Sequence, residues 1–274
     1  MFYIYLVLSA ALIPILNNFF DILRQHYSWW LVPLLFIAFF LGLVIIHLII
    51  TVIWIFTIRT DKPVKNRKLF RRWVNITISL LMKIVRVKVN AIGTEKVPEN
   101  GRLLFVCNHQ HDFDPVMILS VFPDYEIGFI GKKEIYKTMP LIGRAMHGLC
   151  SLPIDRENNR EAAKTIIEAA RLLKEDKCSV GLFPEGYVSK TCELKEFRNG
   201  SLKIAYRAEV PIVVCVINNT RAIIKRMFLR HTDIELRVLS VIYPEEYKSM
   251  TTVELGNIIH AQMSEELEKI RGKQ

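Results

Sequence analysis

The sequence predicts an α/β domain with a mixed, mostly parallel sheet covered by helices, preceded by an N-terminal transmembrane and amphipathic helical region. Three features of the 274-residue chain carry this prediction. Residues 31–58 contain no formal charge, and a dense basic run follows them directly. Beyond residue 85, short apolar segments rich in Val and Ile alternate with helical stretches, the pattern of a sheet with crossover helices.

Residues 31–58 read LVPLLFIAFFLGLVIIHLIITVIWIFTI, interrupted only by His47. At about 1.5 Å per residue such a helix crosses a ~30 Å hydrocarbon core. Trp29, Trp30 and Trp54 lie near its ends, as interfacial aromatics do. Lys and Arg follow on the C-terminal side, which assigns that side to the cytoplasm. The reading is an integral membrane protein with its main domain on the cytoplasmic face. Residues 2–16 form a second apolar run, FYIYLVLSAALIPIL, with no preceding Lys or Arg. That argues against a cleaved signal peptide and leaves open a second crossing or an interfacial helix. Residues 1–60 therefore read as a membrane anchor of one or two hydrophobic helices.

Residues 61–84 read as a basic amphipathic helix at the membrane surface, with Leu69, Phe70, Trp73, Ile76, Leu80 and Ile84 among basic and small polar residues. Packing of this helix on the following domain is the alternative. Ten basic side chains against one acid, Asp61, fall between Arg59 and Lys88, and supply nearly all of the +10 net charge. The rest of the chain is close to neutral. That distribution argues against nucleic-acid binding and for attraction to an anionic membrane surface.

In residues 85–274 the predicted strands are Val85–Val89, Leu103–Cys107, Ile127–Ile130, Ser179–Phe183, Ile212–Ile217 and Ile234–Val241. Predicted helices cover Glu161–Lys174, Gly200–Arg207 and Val253–Ile270. Five cysteines, Cys107, Cys150, Cys178, Cys192 and Cys215, form no CxxC pair. They read as buried free thiols in a reducing compartment.

Chemistry concentrates in two segments. In Asn108-His109-Gln110-His111-Asp112-Phe113-Asp114-Pro115, an apolar strand precedes and an apolar helix follows. Asp114 suits the helix N-cap and Pro115 the first helical position. A loop of this length can bring the Asp114 carboxylate onto the His109 imidazole. That contact fixes the tautomer and leaves the second ring nitrogen to deprotonate a hydroxyl. The same segment also admits a metal site built from His109, His111, Asp112 and Asp114. In Phe183-Pro184-Glu185-Gly186-Tyr187-Val188, a turn ends a strand where open α/β sheets place ligands. Glu185 there could meet a polar substrate or simply face water, and Gly186 permits positive φ. Arg156, after the apolar stretch Leu152–Ile154, suits either a phosphate or a surface ion pair with Asp155 or Glu157.

Four blocks in order resemble the glycerolipid acyltransferase family that includes the 1-acyl-sn-glycerol-3-phosphate acyltransferases. They are Asn108-His109 through Asp114, Gly148 through Arg156, Phe183-Pro184-Glu185-Gly186, and Val210-Pro211-Ile212-Val213. Lys132 and Pro140-Leu141-Ile142-Gly143 also match family usage. The resemblance implies acyl transfer from acyl-CoA or acyl carrier protein to the free hydroxyl of a lysophospholipid. His109 would be the general base and Asp114 its orienting partner. Asn108, Lys132, Arg156, Glu185 and Gly186 would bind substrate, with no metal and no bound cofactor. The family's third block continues Thr-Arg, whereas this chain has Tyr187-Val188. Either Lys190, Lys195 or Arg198 replaces the missing guanidinium, or the acceptor carries a larger headgroup, such as inositol or glycerol. A membrane-associated metallohydrolase and a non-catalytic lipid-binding protein are the competing readings.

Overall fold

The computed structural model describes residues 1–20, 31–189 and 193–271, without the side chains of 16–20. Trp29, Trp30, Lys190 and Cys192 therefore lie outside the described residues. The helices are α1 (Phe2–Phe20), α2 (Leu31–Phe56), α3 (Lys68–Ile84), α4 (Asp114–Val121), α5 (Lys133–Thr138), α6 (Pro140–Gly148), α7 (Asn159–Lys174), α8 (Lys203–Ala208), α9 (Ala222–Arg226), α10 (Pro244–Tyr247) and α11 (Thr252–Arg271). The strands are β1 (Val87–Ile92), β2 (Leu104–Cys107), β3 (Gly128–Lys132), β4 (Leu152–Ile154), β5 (Val180–Leu182), β6 (Ile212–Asn218) and β7 (Thr232–Ile242).

The seven strands form one sheet in the order β1-β7-β6-β2-β5-β3-β4. Every pairing is parallel except β6 with β7. The fold is α/β with a mixed, mostly parallel sheet, as the sequence indicates. Six strands fall where the pattern places them, within a few residues. The seventh, β4, has only three residues, too few for period-two alternation to register. The predicted helix at Gly200–Arg207 begins as a 3-10 turn over Asn199–Leu202 before α8.

Both faces of the sheet are covered. Leu104, Val106, Leu182, Val214 and Val216 point to one side and pack with α7, α8 and α11. Leu103, Phe105, Cys107, Val213 and Ile217 point to the other and pack with α3 and α4. Burial on both faces explains the near-continuous apolar runs of β2 and β6. Four cysteines, Cys107, Cys150, Cys178 and Cys215, are free and buried.

Helix α2 is long and apolar enough to cross a membrane by length and composition. Its histidine, His47, is 1% exposed and ties three helices together. Tyr5 Oη of α1 lies 2.9 Å from Nδ1, Thr77 Oγ1 of α3 lies 2.9 Å from Nε2, and the ring stacks on Trp73. Thr77 donates its own proton to Trp73 O. Its oxygen must therefore accept from His47 Nε2–H, which leaves Nδ1 to accept from Tyr5.

Helix α3 starts at Lys68 rather than at 61 and bridges α2 to the sheet. It buries Phe70, Arg71, Thr77, Ile78 and Leu80. Arg71 leaves the basic surface run entirely. It donates from Nη1 to Ile127 O and from Nη2 to Leu149 O, both at 2.8 Å. Burial depresses its pKa. Arg144 Nη1 donates to Ile58 O at 2.8 Å. Gly148 lets α6 approach this corner: a Cβ there would sit 2.5 Å from Ile58 Cδ1 and 2.7 Å from Phe70.

Arg71→Met leaves the carbonyls of Ile127 and Leu149 buried without donors. The expected cost is about 3 kcal/mol, seen as a lowered thermal midpoint of the detergent-solubilised protein.

Candidate active site

Strand β2 lies between β5 and β6. After β2 the chain moves toward β3 on one side, and after β5 it crosses to β6 on the other. Open α/β sheets bind ligands outside the carboxyl ends of strands at such a reversal. The loop of residues 108–113 leaves β2 at this place, and α4 starts immediately after it.

The loop is organised by one carboxylate oxygen. Asp114 Oδ2 accepts from His109 Nδ1–H at 2.9 Å, from Gln110 N–H at 2.6 Å and from His111 N–H at 2.7 Å. Asp114 is wholly buried, and the His109 side chain is 12% exposed. With Nδ1 engaged, the neutral imidazole carries its lone pair on Nε2. This is where the expected N-cap role of Asp114 fails. Asp114 is already helical, Phe113 is the cap, and no side chain caps the helix. The carboxylate turns Oδ2 back to the loop's N–H groups, and its buried Oδ1 bonds to no N–H of α4.

The imidazole is also fixed from its face. It stacks on Phe183 with centroids 4.2 Å apart and planes at 16°, and Phe183 stacks in turn on Phe129. The spacing of the motifs gives no hint of this ring stack.

Glu185 and Asn108 act on the backbone. Glu185, 1% exposed, accepts from His109 N–H through Oε1 at 2.7 Å and from Lys195 N–H through Oε2 at 3.1 Å. Burial raises its pKa, and the two N–H groups oppose the shift. Asn108 donates from Nδ2 to Ile217 O at 3.0 Å and accepts from Ile217 N–H at 2.8 Å. It adds a side-chain rung between β2 and β6. The structure thus gives both residues a positioning place, where the sequence suggested substrate contact. Their partners are main-chain groups, which no motif displays.

Gly186 adopts φ +79, and a Cβ there would lie 3.0 Å from Arg198 Cδ and Nε. Arg198 is anchored by its own N–H to Pro184 O at 2.8 Å, and its Nη1 donates to Arg156 O at 3.4 Å. Both side chains line one cavity. Burial lowers the Arg156 pKa, with Arg198 adding to the effect. The expected surface pairing of Arg156 does not form. Asp155 pairs with Lys133 at 3.2 Å instead, and Glu157 is exposed.

Arg156, Arg198, Lys203 and Arg207 line a cavity of about 640 Å³ together with Gly186 and Phe183. Its apolar wall comes from Ile130, Ile154, Ala163, Ile166 and Leu182. The cavity thus joins four cations to an apolar wall, one ring away from His109. Lys132 lies outside it, half exposed and 3.6 Å from Glu134. Tyr187 is exposed and Val188 half-buried. Lys195 pairs with Glu193 at 3.4 Å. Of the described candidates for the missing arginine, Arg198 is therefore the one in place. Lys203 and Arg207 carried no sequence signal beyond their charge.

Among the described residues no group of three or more His, Cys, Asp and Glu is arranged to hold a metal ion. His111 turns away, its Nδ1 accepting from Phe113 N–H at 3.3 Å, and Asp112 faces solvent. The cluster suggested by His109, His111, Asp112 and Asp114 is not formed, because Asp114 is committed to the loop.

The Acyltransferase family model matches residues 88–218, which hold all of these site residues. A 1-acyl-sn-glycerol-3-phosphate acyltransferase of Cocos nucifera is 27% identical over 236 residues, 85% of this chain and 75% of its own length. A probable 1-acyl-sn-glycerol-3-phosphate acyltransferase of Mycoplasma pneumoniae is 32% identical over 144 residues, 51% of this chain and 53% of its own length. The crystal structure of the 1-acyl-sn-glycerophosphate (LPA) acyltransferase PlsC from Thermotoga maritima shares the fold. Its TM-score is 0.59 at 22% identity, over 80% of this chain and 87% of that one. With this sheet and this site, the chain is similar to the acyltransferases, whose family model covers just under half of it, and among them to the 1-acyl-sn-glycerol-3-phosphate acyltransferases.

Glu185→Ala orphans the half-buried N–H groups of His109 and Lys195. At about 1–3 kcal/mol per group, local opening eases by roughly 10–100-fold. Hydrogen exchange at those two amides should accelerate accordingly, ahead of amides in β6.

Proposed function

We propose that the protein transfers a fatty acyl group from an acyl thioester, on coenzyme A or an acyl carrier protein, to the free hydroxyl of lysophosphatidate. The observation that carries this reading is the His109 Nδ1–Asp114 Oδ2 contact of 2.9 Å beside a cation-lined cavity. His109 Nε2 takes the acceptor's hydroxyl proton as the oxygen attacks the thioester carbonyl. Asp114 holds the resulting imidazolium. The tetrahedral intermediate collapses with cleavage of the carbon–sulfur bond. His109 then returns its proton to the leaving thiolate, so ester and free thiol are the products and the imidazole is neutral again.

The acceptor assignment draws on Arg156 and Arg198. A phosphomonoester suits two adjacent guanidinium groups in a partly dry cavity, and the relatives named above are 1-acyl-sn-glycerol-3-phosphate acyltransferases. Position 188 lacks an arginine, and Arg198 reaches the same Pro-Glu-Gly turn from a later part of the chain. Membrane integration through α2, with the sheet on the cytoplasmic side, belongs to the same proposal. It is supported by that helix's length and by the basic residues after it.

His109→Ala should abolish transfer of labelled acyl groups from acyl-CoA, and full activity in that variant would remove His109 from the mechanism. Arg198→Ala should raise KM for lysophosphatidate about 10–100-fold, the worth of one charge-assisted contact. It should change KM much less for lysophosphatidylglycerol or lysophosphatidylinositol. A panel of acceptors differing only in headgroup reads this out, and a preference for a larger headgroup would overturn the lysophosphatidate assignment. Turnover should be indifferent to EDTA.

A further inference from the structure

The carboxyl ends of β2, β5 and β6 lie on the edge that carries His109. Because β7 runs antiparallel to β6, it begins on that edge at Thr232. Strand β1 is parallel to β7, so it also begins there, at Val87. The β6–β7 connection, residues 219–231, therefore sits on the active-site edge against the end of α3. Thr232 N–H donates to Arg86 O at 3.0 Å.

This connection is clamped by Ile223, which is buried in the core, with Met227 packed beside it. Its other apolar side chains face outward. Ile224 is 59%, Phe228 60% and Leu229 81% exposed. Phe228 has φ 66, a left-handed turn that carries Leu229 away from the protein. Lys225, Arg226 and Arg230 alternate with them and are also exposed. No carboxylate occurs between 219 and 231. Single exposed leucines are ordinary, but three large apolar side chains in six residues, interleaved with three cations, form a patch with a direction.

Its surroundings select the partner. Lys83, near the end of α3, stands 4.1 Å over the Tyr3 ring of α1. Val44 of α2 packs with Tyr5 and Leu80, so the upstream half of α2 lies toward this same edge. Across the crevice, beyond β3, Met139, Leu141 and Ile142 are exposed as well. The patch thus shares the active-site edge with the end of α3 and the upstream half of α2, and it carries cations and no carboxylate.

We propose that the β6–β7 connection docks on an anionic bilayer. Ile224, Phe228 and Leu229 enter the interface, while Lys225, Arg226 and Arg230 meet lipid phosphates. It is a membrane contact separate from α2 and from the basic run before β1. Delivery of a lipid acceptor to His109 by this contact rests on the acyl-transfer reading; the docking itself does not.

The test uses the full chain carrying Cys192→Ser and Leu229→Cys, labelled at position 229 with an environment-sensitive dye. It is reconstituted in phosphatidylcholine vesicles with or without phosphatidylglycerol. Docking predicts a blue shift and quenching by lipid-borne spin labels in the anionic vesicles, with protection from aqueous iodide. Lys225→Gln, Arg226→Gln and Arg230→Gln together should weaken docking by about fivefold per cation removed. Full iodide access in both vesicle types overturns the proposal. So does shielding from lipid and iodide alike, which would mean that protein covers the patch. In a second arm, Phe228→Ser with Leu229→Ser should slow transfer to vesicle-embedded acceptor severalfold and spare a detergent-dispersed short-chain acceptor. If the unmodified protein acylates neither acceptor, the acyl-transfer reading fails while the dye still decides docking.

Discussion

The site depends on a single oxygen atom. Asp114 Oδ2 gathers one side-chain and two main-chain N–H donors from three consecutive residues. The main-chain pair folds the loop after β2 into a closed turn, and the third donor orients the imidazole held by that turn. Loop shape and ring tautomer are therefore set together. A glutamate at the same position would push the oxygen outward by one methylene and lose the common focus. Phe183 completes the restraint from the ring's face, so both the tilt and the rotation of His109 are fixed before any substrate arrives. Such preorganisation is what acid–base catalysis draws on.

Sheet topology decides what stands near that loop. Strand β2 is central, with β5 and β6 parallel on either side, so three strand ends converge there. The β5 end supplies Glu185 and Phe183, and β6 supplies the backbone that Asn108 grips. The antiparallel step to β7, and the parallel return to β1, bring the end of α3 to the same edge. A fully parallel sheet would have sent that helix to the opposite side.

Much of this was legible in the sequence, for definite reasons. The His109–Asp114 pair could be anticipated because both partners sit in one short loop bounded by a strand and a helix-start signal. The sheet was readable because its strands are buried on both faces and appear as apolar runs. Gly186 announced its positive φ by being a glycine in a turn. What the sequence missed has one cause. Asp114 reads as a cap, Asn108 and Glu185 as substrate contacts, and Arg71 as part of the basic run, yet each is buried and bonded to main-chain atoms, within the same loop for Asp114 and distant in sequence for the others. Hydrophobic periodicity and motif spacing are blind to main-chain partners. Arg198 was one of three basic residues named for the vacant arginine position, and only folding could separate it from Lys195.

That shared habit has a consequence for divergence. Asn108 holds the peptide group of Ile217, Glu185 those of His109 and Lys195, and Arg71 the carbonyls of Ile127 and Leu149. Every residue type except proline offers the same N–H, and every residue offers the same carbonyl. The wiring therefore asks for particular gripping side chains but not for particular residues at the gripped positions. A scaffold held in this way can take substitutions at the gripped positions without losing these bonds, and a protein only 22% identical shares the fold.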